Sequence, residues 1–73
     1  MTHKFSFKKA LNLAMIIMDV TNQDLEEKIG ISASAISAYK SGANNNPTLE
    51  TVKKISDGLG LSLTQFLSYG EFK

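Results

Sequence analysis

The sequence has no cysteine, no tryptophan and no arginine, and only one proline and one histidine. Without cysteine there is neither a disulfide nor a thiolate metal site to brace a chain of 73 residues. A core of that size is thin, so stability has to come from helix packing or self-association. The missing thiols leave the redox compartment unconstrained. Without arginine, eight lysines stand against seven acids, a net charge of +1, so any attraction for phosphate has to be local rather than global. The lone His3 sits in an opening stretch without periodicity, and no pair of acids falls in an apolar setting that would shift its pKa. No enzymatic centre, metal site, cofactor or small-molecule substrate is therefore expected. The longest apolar run, LAMIIM at residues 13–18, is far too short to span a bilayer, and the N-terminus lacks a signal-peptide pattern. A cytoplasmic protein with no membrane partner is the expectation. No credible strand and no internal repeat is found.

What the chain does have is repeated helix starts. Ser6 is placed to cap a first helix running to about Asp19, with Phe7, Leu11, Met15 and Met18 on one face and Ala10 and Ala14 beside them. Leu13, Ile16 and Ile17 widen that stripe beyond the need of one face. Either the helix is buried at the centre of a small bundle, or the extra residues touch another chain. Three later starts pair a cap with an apolar residue on each side: Thr21 between Val20 and Leu25, Ser32 between Ile31 and Ile36, Ser62 between Leu61 and Phe66. These are hydrophobic staples, and Ser62 with Gln65 also matches a capping box. Thr48 caps a further helix after Pro47, with Leu49, Val52, Ile55 and Leu59 assigned inward and Glu50, Lys53, Lys54 and Asp57 outward. Gly58 inside that helix costs about 1 kcal/mol against Ala, which implies a close backbone contact or an early helix end. Gly60 follows as the terminating position. The reading is an all-α bundle of about five short helices: an N-terminal arm at residues 1–5, a helical domain at 6–68 and a C-terminal tail at 69–73.

The chain is organised around residues 21–42, TNQDLEEKIGISASAISAYKSG. Gly30 ends one helix, where positive φ is cheapest for Gly, and Ser32 starts the next two positions later. That turn throws the second helix across the first. Leu25, Ile29, Ile31, Ile36 and Tyr39 fall on the shared inner side. Ala33, Ser34, Ser37, Ala38 and Ser41 are left outside, a small and smooth surface.

With Leu25, Ile29, Gly30, Ile31, Ile36 and Tyr39 at these spacings, followed by Gly42, Pro47 and the run LETVKKISDGLGLSLTQFL at 49–67, the chain resembles the Cro and lambda-repressor helix-turn-helix family of bacterial and phage regulators. It departs from the pattern at Glu26, where the family usually has a small residue at the close approach of the two helices. The resemblance implies a sequence-specific DNA-binding regulator, a repressor of a phage, plasmid or mobile-element promoter, acting on double-stranded DNA. It carries the base-facing role to Ser32, Ala33, Ser34, Ser37, Ala38 and Ser41. A helix with a small outer face fits a major groove about 12 Å wide. Its Ser hydroxyls discriminate weakly and its Ala methyls suit the thymine methyl, which favours A·T-leaning sites read partly through shape.

Phosphate contacts would then supply most of the affinity. Candidates are Asn22, where the family often has a backbone-contacting Gln, with Lys40 just off the outer face, the loop residues Asn44, Asn45 and Asn46, and Thr48. One such helix discriminates too little alone, so a homodimer on a two-fold site with half-sites ~34 Å apart is expected. Leu63, Phe66, Leu67, Tyr69 and Phe72 either form its interface or cap the monomer core. The competing function is a helical protein-interaction module on the same scaffold that has lost base reading.

Overall fold

The computed structural model describes residues 4–44 and 46–72. Five helices follow in order, α1 (Phe7–Met18), α2 (Asn22–Ile29), α3 (Ala33–Ser41), α4 (Leu49–Gly58) and α5 (Leu63–Ser68). Each begins where a hydroxyl residue stops the preceding chain. The side chains of Ser6, Thr21, Ser32, Thr48 and Ser62 accept from the N–H groups of Lys9, Asp24, Ala35, Thr51 and Gln65 respectively. Each such cap contributes about 1 kcal/mol. The capping box forms at Thr21, where Asp24 accepts from the Thr21 N–H in return. At Ser62 only the hydroxyl half is made, and the Gln65 amide turns instead to the Tyr69 hydroxyl.

The core is drawn from every helix: Phe7, Leu11 and Met15 from α1, Leu25 from α2, Ile36 from α3, Val52 and Ile55 from α4, Phe66 from α5. Its aromatic centre joins three of them. The Phe7 ring lies edge-on to Tyr39 of α3 at 5.2 Å and to Phe66 of α5 at 5.9 Å, pairs worth about 0.5–1.5 kcal/mol each beyond their burial. Ala10 and Ala14 are fully buried between these larger side chains, so α1 can lie close to its neighbours.

The inward assignments of Met18 and Leu49 are corrected, and so is the reading of the first helix as the buried centre of the bundle. Ile16, Ile17 and Leu13 are exposed to 76%, 51% and 36%, so α1 is covered on one side only and is not the buried centre of the bundle. Met18 is exposed at the end of the same helix, and Leu49 is exposed at the start of α4. Periodicity places a residue on a helix face but cannot say how far along the helix its neighbours extend. Met18 and Leu49 both sit at helix ends. Gly58 does mark a close approach: a Cβ there would lie 2.5 Å from Ile29 Cγ2 and 3.1 Å from Leu25 Cδ1. Backbone of α4 therefore rests directly on the side chains of α2.

The absence of strands is also corrected. A two-residue strand β1 (Lys4–Phe5) pairs antiparallel with β2 (Glu71–Phe72). The Ser6 N–H continues the ladder to the Gly70 carbonyl at 2.8 Å, and the Lys9 ammonium donates to the Glu71 carbonyl. Residues 4 and 5 are thus not a free arm, and the tail is tied back across the start of α1. Pairs this short leave no alternation for a sequence pattern to reveal. His3 lies outside the described residues.

Candidate nucleic-acid interface

Leu25 and Ile36, both fully buried, pin α2 to α3. Gly30 provides the turn between them in the left-handed conformation, φ 73°. With its inner side fixed in this way, α3 presents Ser34, Ser37 and Ser41 to solvent, all exposed. Their spacing of three and four residues sets them in one line along the helix. Ala33 and Ala38 flank that line half-buried, and no bulky side chain rises from it.

The Ser34 hydroxyl makes no hydrogen bond among the described residues. The other three hydroxyls already have partners. Ser32 caps the helix through the Ala35 N–H. Ser37 Oγ accepts from Asn22 Nδ2 at 3.1 Å. Ser41 Oγ donates to the Ala38 carbonyl and accepts from the Ala43 N–H. Of the serines, Ser34 alone keeps its full donor and acceptor capacity for an incoming ligand.

Asn22 and Lys40 are brought together. Asn22, the first residue of α2, accepts from the Lys40 ammonium at 3.0 Å through Oδ1 while its amide donates to Ser37. The lysine charge is thereby held beside the start of α2 and the outer line of α3 rather than swinging in water. Two further residues of this surface were not picked out from the sequence. Asn12 donates from one amide nitrogen to the carbonyls of Lys8 at 2.8 Å and Lys40 at 2.9 Å, fastening the C-terminal turn of α3 to α1. Lys8 lies over Gly42, its Cδ 3.3 Å from where a Cβ of that glycine would sit, and brings a second ammonium to the same end of α3. Neither contact has a local sequence signal, because each depends on how α1 crosses α3.

Glu26 also finds its explanation here. Its half-buried carboxylate crosses the turn and accepts from the N–H of Ala33, the first residue of α3, at 3.1 Å. The bulk that departs from the small-residue pattern is used as a second cap for the helix start. At the start of α2, the Thr21 backbone N–H, then the Thr21 side chain, then the charge of Lys28 hold the Asp24 carboxyl below its ordinary 3.8.

The loop candidates divide. Asn44 and Asn46 are exposed, with Asn44 Oδ1 accepting from the Asn46 N–H at 3.4 Å and the Asn44 N–H bonded to the Ala38 carbonyl. Asn45 lies outside the described residues. Thr48 is exposed and spends its hydroxyl on the start of α4, with Leu49, 72% exposed, next to it. Among the expected interface residues Phe66 is fully buried inside the monomer and is removed from any partner surface. Leu63, Leu67 and Tyr69 pack against the core half-buried, and the side chain of Phe72 lies outside the description. Among the described residues no group of three His, Asp or Glu is placed to hold a metal ion, and no helix is long and apolar enough to cross a membrane.

A comparison with curated proteins finds no match. The helix-turn-helix family model of the Cro/C1 type matches residues 11–66, a span that contains α2, the turn at Gly30, α3 and α4 and most of α1 and α5. The chain therefore belongs to the Cro/C1-type helix-turn-helix family of DNA-binding transcription regulators.

Proposed function

We propose that the protein is a sequence-specific regulator that lays α3 in the major groove of a two-fold operator and represses a promoter of phage or mobile-element type in the cytoplasm. The observation that carries this reading is the exposed line Ser34, Ser37 and Ser41, free of bulk and flanked by the Asn22–Lys40 pair. A helix inserted by its N-terminal half meets base edges first with Ala33 and Ser34, then with Ser37 and Ala38. Ser34, with its hydroxyl uncommitted, is the principal base reader, and Ala33 and Ala38 offer methyl contacts to thymine. Asn22 and Lys40 grip one phosphate rim, while Asn44, Asn46 and Thr48 serve the other. Lys8 extends the cationic side, and exposed Leu49 beside Thr48 supplies an apolar contact to a deoxyribose.

Two protomers on half-sites ~34 Å apart give the discrimination that one serine-lined helix lacks. Among the described side chains, Leu63, Leu67 and Tyr69 are the part of the expected dimer contact still accessible. Leu67→Glu should turn a sedimenting dimer into a monomer without loss of helical content; an unchanged dimer would move the interface elsewhere. The reading as a whole is tested by selecting duplexes from a random pool and then substituting Ser34→Glu. Specific binding should be lost while thermal unfolding stays within a degree or two of wild type. Guanine-dominated half-sites would refute the thymine-and-shape mode of reading.

The interaction-module reading draws on one observation: of the α3 serines and the capping Ser32, all but Ser34 have their hydroxyls engaged within the monomer. It requires that the purified protein shift no duplex even at low salt.

A further inference from the structure

We infer that Glu26 sets the strength of duplex binding by placing an uncompensated carboxylate at the end of α3 that enters the groove. The inference rests on the DNA-binding role proposed above. The N-terminus of a helix carries roughly half a positive charge and free N–H groups, which favour phosphate. In this protein the first N–H of α3, that of Ala33, is already taken by Glu26 Oε2 at 3.1 Å. A full negative charge there more than cancels the helix end.

No ion pair restores the balance. Among the described residues the one ion pair within 4 Å is Lys54–Glu50 on α4, so Glu26 has no lysine against it. The first turns of α3 carry no charge to offset it, Ala33, Ser34 and Ser37 being neutral. Lys40, the sole cation of α3, is tied to Asn22. The carboxylate is half-buried and bonded to the Ala33 N–H, which holds it at the end of the helix. Each phosphate lining the groove near that end is therefore repelled, and the attraction supplied by Asn22, Lys40 and Lys8 is partly offset.

The variant Glu26→Gln keeps an oxygen acceptor for the Ala33 N–H and removes the charge. Its affinity for the wild-type protein's selected duplex should rise about three- to tenfold near 0.1 M salt, and the gain should shrink as salt screens the repulsion. The slope of log K against log salt should steepen by up to about one. Glu27→Gln removes an exposed acid from the adjacent position of α2 and should change affinity less than twofold. Glu26→Ala, which loses the cap as well, should unfold at lower temperature yet still bind more tightly at temperatures where it is folded. A residue with a merely structural role would lower stability without tightening binding. Wild-type binding with Glu26→Gln unchanged or weaker, or an equal gain in Glu27→Gln, overturns the inference and leaves the DNA-binding role standing. Failure of both wild type and Glu26→Gln to bind any duplex overturns the two together.

Discussion

Gly58→Ala should destabilise the protein, against the usual benefit of replacing a helical glycine. Intrinsic propensity favours the change by up to about 1 kcal/mol. The added Cβ would sit 2.5 Å from Ile29 Cγ2 and 3.1 Å from Leu25 Cδ1, whereas carbon atoms in comfortable contact are about 3.5–4.0 Å apart. Overlap of about 1 Å on Ile29 cannot be relieved by a flexible tip, because Cγ2 is fixed on a β-branched Cβ with restricted χ1. Leu25 is fully buried and has no open side to retreat to. Overpacking of this kind costs about 1–3 kcal/mol, so the net loss should be about 0.5–2 kcal/mol. A domain of this size has roughly 4–11 kcal/mol in total, and a urea m-value near 1 kcal/mol per molar turns the loss into a midpoint lower by about 0.5–2 M. Urea unfolding followed by helical circular dichroism measures it. In an Ile29→Ala background the first clash is gone, and Gly58→Ala should cost much less there or stabilise. A Gly58→Ala midpoint equal to or above wild type would show that α2 and α4 can separate freely, and the close-approach argument would fail.

Phe66→Ala should cost about 3–5 kcal/mol, because Phe66 is fully buried against Phe7; calorimetry should find the variant largely unfolded near 37 °C, and a near-normal melt would contradict the core assignment. Asp24 contributes stability at pH values above 3.8, its ordinary value, because its folded pKa lies lower; that contribution should disappear as pH falls from about 4 through the folded value, and Asp24→Asn should flatten the acid limb of a thermal melt recorded against pH. Duplex binding should have a shallow salt dependence, since the proposed interface has only Lys8 and Lys40 as cations among the described residues; a slope in log K against log salt of ~−8 or steeper per dimer would require many more ion contacts.

The helix starts were legible because each is local: a hydroxyl and the N–H three residues later fix one another wherever the chain goes next, as at Ser6, Thr21, Ser32, Thr48 and Ser62. The helix-turn-helix was legible for the same reason, since Gly30 and the apolar spacing around it specify both the turn and the inner face. Gly58 could be flagged as a contact, but not with its partners, which lie on another helix. The site was legible only as a surface. That Ser34, Ser37 and Ser41 face solvent follows from period; that Asn22 bridges Ser37 and Lys40, or that Asn12 grips the Lys40 carbonyl, depends on tertiary crossings separated by 15 to 28 residues. Glu26 shows the limit from the other direction. Judged against its immediate neighbours it is an oversized residue at a tight crossing, and only the position of the Ala33 N–H reveals its use. Leu49 and Met18 misled because apolar side chains at helix ends satisfy the period without having a neighbour to cover them.

The pairing of residues 4 and 5 with 71 and 72 links positions almost a full chain length apart. A loop that large closes at the highest entropic cost of any contact among the described residues, so it is expected to form after the helices have condensed. Substitutions that weaken the ribbon at Phe5 or Glu71 should therefore leave the refolding rate nearly unchanged and appear as faster unfolding. Amide exchange at Ser6, whose N–H is held by the Gly70 carbonyl, would report its opening ahead of the core.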